Sequence, residues 1–231
     1  MIRPLDPGAR LLAAASLVRA GRRAADIGCD HGKLAVHLIE SGRCPYVVAA
    51  DLRSGPLGRA RALVEERGLS DRIDCRLGDG LSVLAPQEAE DIVIAGMGGE
   101  TIAEILAAAP WVRAPQYNLV LLAASSQPEL RRWLCENGFA LCCEIPVAEG
   151  RHCYTVMQAT YTGRRFAPDD AFCLLGLLRG QRSPAAKAWF VLLAKRLRIQ
   201  LEGRRSAGEE NLTELTSLLW QVEKELSECP E

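Results

Sequence analysis

Apolar and polar positions along the chain change period several times, and the changes fall at glycines. Residues 8–20 place Leu11, Leu12, Ala15 and Val18 at spacings of three and four, the stripe of an amphipathic helix that Gly21 should stop. Short apolar runs follow at 23–27, 46–50, 91–95 and 119–123, with a short apolar-alternating run at 73–77. Runs of that length read as strands buried on both faces, as in a parallel sheet. Helical stretches separate them: Lys33 to Glu40, Pro56 to Arg67, Glu100 to Ala109, and a run opened by Pro128 and closed by Asn137-Gly138. Two alternating segments, 139–145 and 152–161, are joined by Glu149-Gly150 and read as a hairpin. Five α/β units and a final hairpin predict a Rossmann-like, doubly wound α/β sheet with an antiparallel edge. After a boundary at 163–168 the pattern turns helical. Ala185 to Leu201 carries Phe190, Leu193, Leu197 and Leu201 on one stripe, and a turn is expected at 203–208. Leu212, Leu215, Leu219, Val222 and Leu226 then repeat at three and four, the seam of a coiled coil. The two segments predict an antiparallel helical hairpin and divide the chain into residues 1–163 and 164–231.

The strand ends carry the candidate chemistry. The first runs into Asp26-Ile27-Gly28-Cys29-Asp30-His31-Gly32, a tight turn that brings backbone close to a ligand and aims helix N–H groups at it. Its Asp-x-Gly-x-x-x-Gly pattern is not the Gly-x-Gly-x-x-Gly of dinucleotide enzymes, which disfavours a nicotinamide-dependent dehydrogenase. The second ends in Asp51, an acid placed to accept hydrogen bonds from both hydroxyls of a ribose. The third leads to Gly78-Asp79-Gly80-Leu81 and the fourth to Gly96-Met97-Gly98-Gly99. All four ends fall on the carboxyl edge of one sheet, where open α/β folds bind ligands.

With Asp-Ile-Gly-Cys-Asp-His at 26–31, Gly-Asp-Gly-Leu at 78–81, Ile-Ala-Gly-Met-Gly-Gly at 94–99 and Arg-Arg-Trp-Leu-Cys-Glu-Asn-Gly-Phe at 131–139, the chain resembles the class I S-adenosylmethionine-dependent methyltransferases. Within them it is similar to the bacterial tRNA (adenine-22-N1)-methyltransferase family, from about residue 5 to the C-terminus. The resemblance implies S-adenosyl-L-methionine as cofactor, held by Asp26, Gly28, Asp30, Asp51, Asp79, Gly80, Gly96, Met97 and Gly98. It implies transfer of a methyl group to N1 of adenosine 22 in tRNA, with Asp30 as the carboxylate facing the cationic product ring and His31 orienting it. No metal is implied. One departure stands out: where the family has Gln-Pro after the fifth strand, this chain has Leu122-Ala123, with Ser125, Ser126 and Gln127 as replacement polar groups. That departure keeps open a methyltransferase for another RNA or a small molecule, or a donor- and RNA-binding module without activity.

Composition narrows the class. Hydrophobic residues make up 48% and charged residues 25% of the 231, and no apolar run is long enough to span a bilayer. Asp6, Pro4 and Pro7 break any signal-peptide layout. Nine cysteines without a Cys-x-x-Cys pair fit free thiols in a reducing, cytoplasmic compartment. The net charge of −1 conceals a basic band: residues 151–205 hold eleven Lys or Arg against three acids, and residues 206–231 hold one Lys against seven Glu. Lys187, Lys195, Arg198, Arg204 and Arg205 are the expected RNA-binding face, unless the acidic tail neutralises it. A monomer is favoured over an oligomer.

Overall fold

A computed structural model describes residues 5–230; Pro4, one of the residues read against a leader, lies outside them. Seven strands form one sheet in the order β3-β2-β1-β4-β5-β7-β6. β1 (Ala24–Ile27), β2 (Val47–Asp51), β3 (Ile73–Leu77), β4 (Asp91–Gly98) and β5 (Asn118–Ser125) run parallel, and the hairpin of β6 (Phe139–Glu149) and β7 (His152–Tyr161) adds the antiparallel edge. β1 and β2 are buried along their whole length, which explains their unbroken apolar runs.

Each strand sends alternate side chains to two cores. One face packs Ala24, Val47, Val93 and Val120 against α1 (Ala9–Leu17), α2 (Lys33–Glu40) and α3 (Ser54–Glu66). The other packs Ala25, Val48, Ile92 and Leu121 against α4 (Gly99–Ala107) and α5 (Gln127–Glu136). A third core joins α6 (Asp170–Leu175), α7 (Pro184–Ser206) and α8 (Thr213–Ser227). All five seam residues of α8 belong to it. The start of α7 meets the end of the chain through Lys187 Nζ donating to the Pro230 carbonyl at 2.8 Å, so α7 and α8 are antiparallel.

Several boundaries differ from the sequence expectation. α1 ends at Leu17 because the Arg19 backbone N–H and Nε are both taken by the buried Asp91 carboxylate, at 2.7 and 2.8 Å. α7 continues through Gly203 to Ser206, since glycine weakens a helix without breaking it. α6 was not expected; Asp169 caps it by accepting from the Phe172 N–H at 2.6 Å. The hairpin of α7 and α8 is also not free-standing: α7 lies on β6 and β7, and α6 lies on α5. At this junction Arg131, fully buried on α5, donates to Glu144 on β6 at 2.8 Å and to the last carbonyls of α6, Cys173 and Leu174, at 2.8 and 3.1 Å. Glu144 in turn accepts from the Leu177 N–H.

Candidate active site

The strand order reverses direction between β1 and β4, and the cleft opens there, at the carboxyl edge. The β1–α2 turn is built from three residues with positive φ: Gly28 at 75°, Asp30 at 48° and Gly32 at 69°. The Gly28 and Cys29 N–H groups donate to the Ala50 carbonyl at 2.8 and 2.9 Å, which ties the turn to the end of β2. Gly28 is a requirement of space as well as of φ, because a Cβ there would run into the Met97 methyl group. Gly32 packs against α3, where a Cβ would sit 3.0 Å from that of Ala60.

Asp51 is buried at the end of β2, and its two oxygens accept separately from the Arg53 N–H at 2.9 Å and the Asp30 N–H at 3.1 Å. Each oxygen keeps a lone pair for a ligand hydroxyl. Asp26 is buried within β1, and its Oδ2 has no hydrogen-bond partner. Burial pushes its carboxyl up from 3.8 to about 7, against the pull of a backbone hydrogen bond from Ala35, and the nearby Asp51 charge raises it further. A buried, unpartnered carboxyl oxygen beside a cleft is a seat for a donor or a cation.

Two adjoining cavities, about 460 and 560 Å³, share Gly28, Asp51, Leu52 and Met97 and make one cleft. The first is lined by Asp26, Asp30, His31, Gly96 and Leu122, with Arg10 from α1. The second holds Asp79 and Gly80 and has apolar walls from Leu81, Ile105 and Trp111, a slot for a flat ring. Asp79 is exposed. Gly98 closes the bulged end of β4, next to the Ser125 hydroxyl.

Asp30 projects into solvent, with Oδ2 3.5 Å from His31 Nε2 and Oδ1 3.4 Å from the Arg59 guanidinium. It does not cap α2, whose N-cap position is Gly32 with no side-chain hydrogen bond. The departure noted above falls within β5 rather than after it; Leu122 and Ala123 are both buried, and Leu122 lines the cleft. Of the expected replacements, Gln127 turns its amide to the Ala123 carbonyl at 3.0 Å, the Ser125 hydroxyl lies beside Gly98, and Ser126 meets Gly99 through its backbone carbonyl.

The basic face of α7 is partly neutralised. Arg198 pairs with Glu223 of α8, Arg204 lies 3.6 Å from Glu209, and Lys187 is bound to the Pro230 carbonyl. Among the described residues Lys195 and Arg205 make no ion pair, nor does Arg196, an exposed cation outside the expected set that lies on the opposite side of α7 from Arg198 and Arg205. No group of metal-ligating side chains occurs among the described residues.

A doubly wound sheet with this cleft at its switch point is the architecture of class I methyltransferases, and residues 8–157 match the model of a methyltransferase domain. The chain is 34% identical to the tRNA (adenine(22)-N(1))-methyltransferase of Bacillus subtilis over 171 residues, 74% of this chain and 72% of that protein. It belongs to that family of tRNA methyltransferases. The crystal structure of the B. subtilis enzyme, TrmK, superposes with a TM-score of 0.84 at 27% identity, covering 96% of this chain and 99% of that one. A Streptococcus pneumoniae protein, Sp1610, solved in complex with S-adenosyl-L-methionine, superposes at 0.82 with 28% identity, covering 94% and 98%.

Proposed function

We propose that the chain transfers a methyl group from S-adenosyl-L-methionine to N1 of adenosine 22 in tRNA. The observation that carries this reading is the pair Asp26 and Asp51 at the switch point, one with an orphaned oxygen and the other with spare lone pairs on both. The residues present fit the donor. Asp26 answers its ammonium group, Asp51 its ribose hydroxyls, and Asp79 its adenine amino group, since a carboxylate accepts and an amine donates. Gly28 and Gly80 let backbone approach, and Gly96, Met97 and Gly98 line the floor between donor and target base. When bound, the donor supplies an electrophilic methyl on a sulfonium centre.

The protein's task is then alignment and electrostatics. Adenine N1 has a lone pair and no proton to lose, so no strong base is needed. Methylation makes the ring cationic, and Asp30, oriented by His31, supplies the compensating charge. N1 lies on the Watson–Crick edge, so the base is extruded or met unpaired. Residues 5–163 carry the donor site, and 164–230 contribute the RNA-binding cations Lys187, Lys195, Arg198, Arg204 and Arg205. The test is mass spectrometry of nucleosides from unmodified tRNA incubated with the protein and S-adenosyl-L-methionine. One new N1-methyladenosine at position 22 is expected; methyl transfer to another site or to none overturns the assignment.

A further inference from the structure

A third cavity, about 240 Å³, lies on the other side of the glycine loop from the donor cleft, where α5, β7, α6 and α7 meet. Its floor is Ser126, Gln127 and Glu129, the start of α5, and its walls include Arg131, Arg196 and Trp189. Nothing in the donor-binding reading uses it.

Two independent observations point to an anion there. Arg131 is fully buried, and although its Nε and Nη1 are satisfied by Glu144 and the α6 carbonyls, its Nη2 has no partner. A guanidinium N–H left unmet in a buried position is costly, and its natural complement is an oxygen acceptor. The N-terminus of α5 is also uncapped: Ser126 stands at the N-cap in a left-handed conformation, φ 53°, and its side chain accepts no hydrogen bond from the first turn. Pro128, also in the lining, has no N–H, and the Leu130 N–H is taken by the Ser126 carbonyl at 3.1 Å, which leaves the Gln127 and Glu129 N–H groups and the positive end of the helix dipole at the cavity.

Charge agrees with this geometry. Glu144 neutralises Arg131 at Nε alone. Arg196 makes no ion pair among the described residues, and its charge pulls the neighbouring Cys153 thiol down against the upward push of burial. Glu129 and Arg196 are both exposed, so solvent screens the two charges alike, and the unmet Arg131 N–H is the buried group that tips the site toward an anion.

The position of the cavity names the source of the anion. Its floor abuts the glycine loop, since a Cβ on Gly99 would strike the Ser126 carbonyl and one on Gly98 would lie 3.3 Å from Ser125 Oγ. Its outer wall is α7, which carries the unpaired Lys195 beside Arg196. A polyanion crossing from the basic helix to the glycine loop passes over it. We propose that this cavity is a phosphate subsite, seating a backbone phosphate of the RNA close to the base that is methylated. The inference rests on tRNA being the substrate.

The test uses Arg196→Gln, a surface change that leaves the buried Arg131–Glu144 pair intact, with wild type in the same assay. The subsite predicts that the KM for tRNA rises about tenfold, that S-adenosyl-L-methionine affinity is unchanged, and that the slope of log K for tRNA against log salt falls by about one. A wild-type protein that methylates tRNA beside an Arg196→Gln variant with the same KM and salt slope overturns the subsite and leaves the function standing. A wild type that methylates no tRNA overturns the function instead. Inorganic phosphate separates the two sources of the anion. Competition with tRNA in wild type, reduced in the variant, supports the RNA subsite; saturable phosphate binding that leaves tRNA affinity untouched marks a free-phosphate site and overturns it.

Discussion

At the scale of single residues, Asp26 opposes stability to function. Its folded-state value, about 7 against 3.8, means that the folded protein holds this proton more tightly than the unfolded chain. The empty protein therefore loses stability as pH rises from about 4 to about 7, the reverse of a salt-bridged acid. Asp26→Asn should raise the melting temperature of the ligand-free protein at pH 8, weaken S-adenosyl-L-methionine binding, and abolish the rise in affinity with pH through about 7 that is expected of the wild type. Paired calorimetric titrations and melting curves at pH 6 and pH 8 check both halves. Asp30 is the contrasting case, an exposed acid in a strained conformation that caps nothing. Asp30→Asn should slow single-turnover methylation by roughly 100-fold, the scale of losing one preorganised electrostatic partner. A near-normal rate would move the catalytic charge elsewhere. Asp26, Asp30 and Asp51 were all legible in the sequence, because acid and glycine at a strand end leave a local signature. The orphaned oxygen of Asp26 was not, since it depends on what fails to surround it.

At the scale of elements, two glycines permit close approach by different means, Gly28 in the cleft and Gly99 between α4 and the start of α5. Gly28 has a positive φ, and the atom opposing a Cβ there is the end of a flexible methionine. Gly99 opposes the Ser126 backbone carbonyl and the Leu130 Cβ, neither of which has room to move. Gly28→Ala should cost about 1–2 kcal/mol, the penalty of a left-handed L-residue, and should also displace Met97 into the donor site. Gly99→Ala should cost more, about 3 kcal/mol, by forcing α4 and α5 apart. Chemical denaturation of both variants gives the order; equal costs would show that the α5 loop yields. The inner parallel strands were readable because burial on both faces makes apolar runs unmistakable, whereas β3, at the edge and only partly buried, showed an alternating pattern instead. α6 was missed because six residues at a Pro-Asp-Asp step show no period, and α1 was drawn too long because the contact that ends it, Asp91 to Arg19, spans 72 positions of sequence.

At the scale of the whole molecule, the boundary expected near residue 163 is bridged by buried contacts. Arg131 and Glu144, both before it, take buried partners from Cys173, Leu174 and Leu177, all after it. Breaking a buried ionic network typically costs about 3–5 kcal/mol. A chain cut after Gly163 should therefore melt far below the full-length protein, whereas one ending at Glu210 keeps α6 and α7 and should melt closer to it. Thermal unfolding of the two truncations decides, and a stable fragment 1–163 would show that the network can be resolvated without loss. Composition and period suggested a boundary here, but both are blind to an arginine that reaches 42 residues ahead.

The ends of the sheet govern how the molecule behaves among its own copies. On β6 the pairing jumps from Leu141 opposite Ala159 to Cys143 opposite Gln158, leaving Cys142 as an extra residue in a bulge, and Pro146 further along has no N–H to offer. At the far end β3 is five residues long and carries Asp74 and Arg76. Neither margin presents the long, flat row of free donors and acceptors that templates another strand. Crowding at high concentration should therefore not propagate this sheet into fibrils, and any self-association must run through helices or loops.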